Sequence, residues 1–369
     1  MMSSQPRRRP ITPAASWLAG FVASVIAGAL ACMGWTNAYA VALSDTPPLS
    51  MTQVRPGVFV HVGALEDWAP ANGGDVANIG FVVGSRCVAV IDTGGTPAVG
   101  QGLRAAIEVA TKLPVCYVIN THAHPDHILG SVAFVEADPA DRADRPAKPM
   151  FVASARFTGT MSARAPYYLN ALQRDFAIQL TDASIVYPTV SVEKSLDIDL
   201  GDRVLTLQAW PTAHTDNDLT VYDQRTRTLF ASDLLFVKHL PALDGSLRGW
   251  VSVMDELKRL DVATVIPGHG PISNEWPVAM DAQAGYLNGL LRDTRAAIKK
   301  QLTIQQAVDT VAISRLLAPA PQWLLTDRFH RRNVTAAYAE LEWEDDASSP
   351  VNPVSTPGSS ASSARPGGN

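Results

Sequence analysis

Asn120-Thr121-His122-Ala123-His124-Pro125-Asp126-His127 follows directly on an apolar run, residues 115–120, that reads as a buried strand, and it leads into the apolar turn Ile128-Leu129. A strand end delivers neighbouring side chains into one cleft, and four of these are imidazoles or carboxylates: His122, His124, Asp126 and His127. Such donors suit zinc, and four of them within six residues are too many for one tetrahedral ion that must keep a position open for water. The stretch implies two metals. The competing reading is a solvated polar loop.

Outward from this stretch, residues 57–62, 77–83 and 86–91 are short apolar runs separated by Gly-rich turns and read as consecutive strands. Thr96-Pro97 supplies a cap and a first-turn proline for a helix reaching residue 112, before the strand at 115–120 completes a β-α-β unit. Residues 136–149 have no apolar period and read as an exposed loop. The helical pattern at 154–180 contains Tyr167 and Tyr168, which either roof a site or pack, with packing preferred. Strands resume at 203–210, 219–222, 228–231 and 263–266. A helix at 250–260 separates the last two and sets Trp250, Val253, Met254, Leu257 and Leu260 on one face. Further helices are expected at 276–300, 303–317 and 333–344. Strands and helices alternating in two halves fit an α/β (α+β) four-layer αββα sandwich.

Three more donors arrive after strands: His214 in Thr212-Ala213-His214-Thr215, Asp233 in Ala231-Ser232-Asp233, and His269 in Pro267-Gly268-His269-Gly270-Pro271. Taken singly, a histidine after a strand is usually a surface residue and an aspartate after a serine is usually a helix cap. Together they complete the ligand supply that the first stretch requires. Five of the eight histidines enter this set, which leaves His61, His239 and His330 with ordinary structural roles as the first reading.

On these motifs, residues 54–271 resemble the metallo-β-lactamase superfamily. The resemblance implies a first zinc held by His122, His124 and His214, a second held by Asp126, His127 and His269, and Asp233 bridging the two. It implies that Asp92, in Ile91-Asp92-Thr93-Gly94, orients the ligand loops without binding metal. The antibiotic-hydrolysing zinc enzymes usually carry Cys or Ser at the position of Asp233, whereas a bridging Asp is similar to the glyoxalase II, lactonase and phosphodiesterase branches. Residues 213–218 and 233–250 are similar to exported zinc metallohydrolases associated with quinoprotein dehydrogenase systems, which makes such a system an expected partner.

The expected activity is hydrolysis of an ester, thioester, lactone or lactam in a small-molecule substrate, with a hydroxide shared by two zinc ions as nucleophile and Asp126 as a catalytic proton relay. Lys238 or His239 is expected to hold an acidic substrate group, and Asn217 to donate to an oxyanion. Two other readings stand beside this one. The first is a mononuclear iron sulfur dioxygenase on the same ligand loop. The second is a non-catalytic periplasmic binding or relay protein linked to a quinoprotein dehydrogenase.

The chain has 369 residues, 47% of them hydrophobic, enough for a large packed core. A net charge of −5 provides no basic footprint for a phosphate backbone, so nucleic acid is not an expected partner. Arg7, Arg8 and Arg9 precede an uncharged run, residues 11–44, that contains Ala38-Tyr39-Ala40. This reads as a signal peptide, residues 1–40, cleaved after Ala40 for periplasmic or secreted export, with no stable membrane insertion afterwards. An uncleaved anchor is the alternative. Residues 41–344 then form the hydrolase domain, and residues 345–369, rich in Ser, Ala, Pro and Gly, read as a disordered tail. Cys87 and Cys116 are the two cysteines of the expected mature chain, and their pairing stays open because buried free thiols are common.

Overall fold

The computed structural model describes residues 46–135, 148–316 and 323–344. The expected signal peptide, the expected tail and residues 136–147 of the expected loop lie outside the described residues. Two sheets organise the rest. The first runs in the order β1 (Thr52–Arg55), β2 (Val58–His61), β3 (Ile79–Val83), β4 (Val88–Ile91), β5 (Val115–Ile119), β6 (Met150–Ser154) and β7 (Val190–Val192). The second contains β8 (Ser195–Asp199), β9 (Val204–Ala209), β10 (Leu219–Asp223), β11 (Thr228–Phe236) and β12 (Thr264–His269), in the spatial order β12-β11-β10-β9-β8. Pairing is antiparallel from β1 to β4 and parallel from β4 to β7, and in the second sheet only β11 and β12 are parallel.

The described helices are α1 (Pro97–Ala110), α2 (Pro125–Ile128), α3 (Phe157–Phe176), α4 (Leu247–Leu257), α5 (Asp281–Lys299), α6 (Ile304–Thr310), α7 (Ile313–Leu316) and α8 (Thr326–Leu341). The layers follow from side-chain alternation along the strands. Val82, Ala89, Ile91 and Ile119 of the first sheet pack against Leu205, Leu207, Val221 and Phe230 of the second. The opposite faces of β3 to β5, carrying Phe81, Val88, Val90 and Val118, receive Val99, Leu103 and Ile107 of α1. On the far side, Leu229, Ala231 and Val265 pack with Trp250 and Val253 of α4, Leu287 and Leu290 of α5, and Val334 and Ala337 of α8. Helix, sheet, sheet, helix is the four-layer sandwich expected from the sequence.

Local chemistry sets the helix starts. The Thr96 side chain accepts a hydrogen bond from Val99 N at 3.4 Å with Pro97 in the first turn, and Ser246 caps α4 through Gly249 N at 3.0 Å. Because Ser246 is the cap, α4 begins three residues before the expected Trp250. It ends at Leu257, so Leu260 falls outside the helix and is 38% exposed instead of sharing the buried face. The helix expected at 303–317 is broken into α6 and α7, and α8 starts at Thr326, ahead of the expected 333. Strands β1, β6, β7 and β8 lie outside the expected set. β1 exposes residues on both faces and so lacks the apolar alternation that marks a strand in sequence, whereas β8 does alternate, with Leu196 and Ile198 facing in and Ser195, Asp197 and Asp199 facing out, but over only five residues.

One covalent tie and one electrostatic tie brace the sandwich. Cys87 and Cys116 form a disulfide between the start of β4 and its parallel neighbour β5, with Cα atoms 5.8 Å apart. Closing a loop of 29 residues stabilises the folded chain by about 3–4 kcal/mol in the chain-entropy account. Arg203, 3% exposed, joins the two sheets. Its Nε and Nη2 donate to the two Asp223 oxygens of β10 at 2.9 and 2.7 Å, and its Nη1 donates to the carbonyls of Pro56 and Val83 at 3.0 Å each.

Candidate metal centre

The ends of β4, β5 and β12, the loop after β9, and the middle of β11 converge on one point. Asp92, just past β4, adopts a left-handed backbone with φ 55°, which costs energy for a residue with a Cβ. Its carboxylate makes this conformation worthwhile. Oδ1 accepts from Thr121 N at 2.8 Å, and Oδ2 accepts from Thr121 Oγ1 at 2.7 Å and from His127 Nδ1 at 2.8 Å. Asp233 lies inside β11, not after a strand as expected, because the strand runs on to Phe236. A register irregularity at Ser232, whose φ is 48°, accompanies that extension. Gly268 leaves room for the same carboxylate, since a Cβ there would collide with an Asp233 oxygen.

His122, His124, His214 and Asp233 form one group that could hold a metal ion, and Asp126, His127 and His269 form another, with the donor atoms of each group within 4.8 Å of one another. Asp233 stands between them. Its Oδ2 lies 3.7 Å from His122 Nε2 and 3.3 Å from His214 Nε2, while its Oδ1 lies 3.1 Å from His127 Nε2 and 3.5 Å from His269 Nε2. Asp126 Oδ2 lies 3.2 Å from His269 Nε2. All seven residues expected as ligands therefore meet at one place.

The outer faces of the imidazoles are tied so that one ring nitrogen of each is turned inward. His127 Nδ1 bonds Asp92, His214 Nδ1 donates to the Ala242 carbonyl at 2.7 Å, and His269 Nδ1 donates to the Val76 carbonyl at 2.9 Å, turning each Nε2 toward the centre. His124 is reversed: its Nε2 donates to Asp244 Oδ2 at 2.9 Å, and its Nδ1 faces His122 Nε2 at 3.0 Å and His214 Nε2 at 3.1 Å. Outer partners of this kind fix tautomer and ring orientation in metal sites. His127 Nε2 and Asp233 Oδ1 are buried and, among the described residues, have no hydrogen-bond partner. Two orphaned polar atoms facing each other at the centre of seven donors fit a cation.

The charges divide the donors into two sets. Burial acts to lower His122 and His214 and wins, holding His122 well below its usual range and His214 at about 4, so both are neutral donors at neutral pH. Burial would also lower His127 and His269, but the Asp233 and Asp126 carboxylates outweigh it, placing His127 well above its usual range and His269 at about 9. Burial would raise Asp126 and Asp233, yet the neighbouring histidines hold both well below the usual carboxylate range. Asp126 is thus an anion, which must collect a proton before it can pass one on.

The centre opens into a cleft of about 370 Å³, bordered by Trp68, Tyr167 and Tyr168, His239, Phe329 and Arg332 among others. Tyr168 is buried and donates to the Ala123 carbonyl at 2.9 Å, whereas Tyr167 is 68% exposed on the cleft wall, so this pair both packs and lines the site. Asn217 is fully buried beneath the ligand loop, accepting from Ala123 N at 2.9 Å and donating to Asp216, and it does not border the cleft. Its position suits holding the His122–His124 turn rather than an oxyanion. Lys238 is exposed and likewise does not border the cleft. His239 does border it, stacked on His269 with ring centroids 5.0 Å apart. Burial holds it at about 4, so it carries no charge for an acidic group at neutral pH.

Asp244 is the functional residue that sequence reasoning missed. It precedes Gly245-Ser246 and reads as turn chemistry, with no spacing that ties it to the ligand stretch. In the fold it accepts from both His124 and Arg164, which overcome burial and hold it well below the usual carboxylate range. Asp244→Asn should weaken metal affinity about 10- to 100-fold while leaving the melting temperature of the metal-free protein nearly unchanged. Competition with a chelating indicator measures the first quantity, and unchanged affinity would remove Asp244 from the site.

The family model of the Metallo-beta-lactamase superfamily matches residues 72–269, which include every one of the converging donors. No curated protein sequence matches the chain. Among solved structures, the chain is similar to a metallo-beta-lactamase from Pontibacter korlensis at 21% identity and a TM-score of 0.49, over 65% of this chain and 99% of that one. It is similar to a metallo-beta-lactamase from Hirschia baltica at 17% identity and a TM-score of 0.48, over 65% of this chain and 97% of that one. With more than half of its length matched by the family model, this chain belongs to the metallo-β-lactamase superfamily.

Proposed function

We propose that this protein is a dinuclear zinc hydrolase acting on an ester, thioester, lactone or lactam bond of a small molecule. The observation that carries the reading is Asp233, whose two oxygens face the two donor groups separately. His122, His124 and His214 would hold one ion, Asp126, His127 and His269 the other, and Asp233 would contact both. Two zinc ions would supply Lewis acidity and a water molecule that ionises near neutral pH. The chain's own residues would do the rest. Asp92, Asp244 and the carbonyls of Val76 and Ala242 hold the imidazoles, and the aromatic cleft wall seats the substrate and excludes water. Asp126, once it has taken a proton, is placed to return it to the leaving group.

Export to the periplasm or medium is part of the proposal, supported by the Cys87–Cys116 disulfide, which persists in oxidising compartments. No described helix is long and apolar enough to cross a membrane. Service to a quinoprotein dehydrogenase is proposed from the similarity of residues 213–218 and 233–250, both of which contribute to the metal centre.

Elemental analysis of the purified chain should find close to two zinc ions per molecule, with turnover of at least one among a thioester, a lactone and a β-lactam in preference to an aryl phosphodiester. One iron per chain with oxygen uptake and no hydrolysis would replace this reading with the dioxygenase.

A further inference from the structure

Four arginines border the cleft: Arg164, Arg174, Arg328 and Arg332. Three are neutralised in place. Arg164 pairs with Asp244, Arg174 with Asp175, and Arg328 with Asp67 at 2.8 Å. Arg332 has no carboxylate partner among the described residues. Its guanidinium instead lies 5.9 Å from the centroid of the Phe329 ring. Glu66, which also borders the cleft, accepts from Asn72 Nδ2 at 3.1 Å.

Ring contacts link Arg332 to the metal centre. Phe329 lies 5.3 Å from His239, and His239 lies 5.0 Å from His269. The path from the inward-facing donors to the guanidinium is thus paved by flat rings, with the exposed Tyr167 also on the cleft wall. Both Phe329 and Arg332 come from α8, beyond residues 72–269 that match the family, so this feature belongs to the chain's C-terminal addition.

We propose that Arg332 anchors a carboxylate carried by the substrate, with the scissile bond at the metal centre and an apolar or aromatic segment laid along Phe329 and His239. A guanidinium presents paired N–H donors that match a carboxylate in one plane, and its fixed charge favours an acid over a neutral analogue of the same shape. The substrate class is a carboxylate-bearing acyl compound. This assignment rests on the hydrolase reading for the bond cleaved, but not for the binding of the acid.

The test uses benzoylglycine, an aromatic acid, and its neutral N-methylamide, titrated calorimetrically into the full chain. The wild type should bind the acid about 10- to 100-fold more tightly than the amide, Arg332→Ala should lose that preference, and Arg332→Lys should retain part of it. With the metal-loaded protein, Arg332→Ala should raise KM for the S-phenyl monothioester of succinate about 10-fold at unchanged kcat. It should leave S-phenyl thioacetate unaffected. Equal affinity for acid and amide in the wild type, or a preference that survives Arg332→Ala, overturns the proposal. An acid preference that depends on Arg332 in a metal-loaded protein that hydrolyses neither these thioesters nor an ester, a lactone or a β-lactam supports the anchor and overturns the hydrolase reading.

Discussion

Asp233→Ala is expected to lower kcat/KM by at least about 10³-fold, roughly 4 kcal/mol of transition-state stabilisation, and to cost at least one of the two metal ions. The size follows from position. A single carboxylate, 4% exposed, sits between two groups of imidazoles, and among the described residues no other acid faces both. Without it, five histidines would confront two cations with Asp126 as the remaining anionic donor. Asp233→Asn keeps the shape and removes the charge, so it should fall between wild type and Asp233→Ala in metal content. Elemental analysis and steady-state kinetics on the same preparations make the measurement. Two ions per chain and wild-type turnover in Asp233→Ala would show that the carboxylate is a structural neighbour only.

The largest effect on stability is expected at Arg203→Met, which should destabilise the fold by about 3–5 kcal/mol and lower the melting temperature by roughly 10 °C. Removing the guanidinium leaves the fully buried Asp223 carboxylate without its cation and the Pro56 and Val83 carbonyls without their donor. Pairing Arg203→Met with Asp223→Leu should recover part of the loss, since a buried ion pair replaced on both sides costs less than one broken on one side. The pH dependence has a definite sign. Burial would raise the Asp223 carboxyl, but Arg203 and Thr226 prevail and hold it below its ordinary value. Its contribution is therefore present above the unfolded value near 3.8 and is lost as pH falls through the lower folded value, so acid unfolding below about pH 4 should be steeper in the wild type than in the double variant, which keeps only the other depressed carboxylates. Denaturant melts across pH 2 to 6 supply the comparison, and equal stabilities would show that the tie between sheets contributes nothing.

The metal donors were legible in sequence because their chemistry is dense and sits beside recognisable strands. His122 to His127 needed no tertiary knowledge beyond the strand before them, and His214 and His269 followed from the same logic. Asp233 was found for its identity but misplaced, since a strand that continues through a bulge looks in sequence like one that stops. Asn217, Lys238 and His239 were chosen by nearness to ligands along the chain, and that nearness does not say which way a side chain points. Asn217 turns inward, Lys238 turns away, and His239 is too buried to be charged. Asp244 and Arg332 belong to segments far apart in sequence and carry no motif. Only the packing of α8 and the loop after β11 brings them to the cleft.

Helix α8 has two faces with separate duties. Val334, Ala337 and Leu341 close the outer layer, while Phe329 and Arg332 form part of the entrance. On the proposed function, all the metal donors come from before residue 270, while part of the surface that would select the substrate comes from well after it. Substitutions at the cleft-facing positions of α8 would alter the entrance without touching a single metal donor, which separates the shape of the doorway from the chemistry behind it.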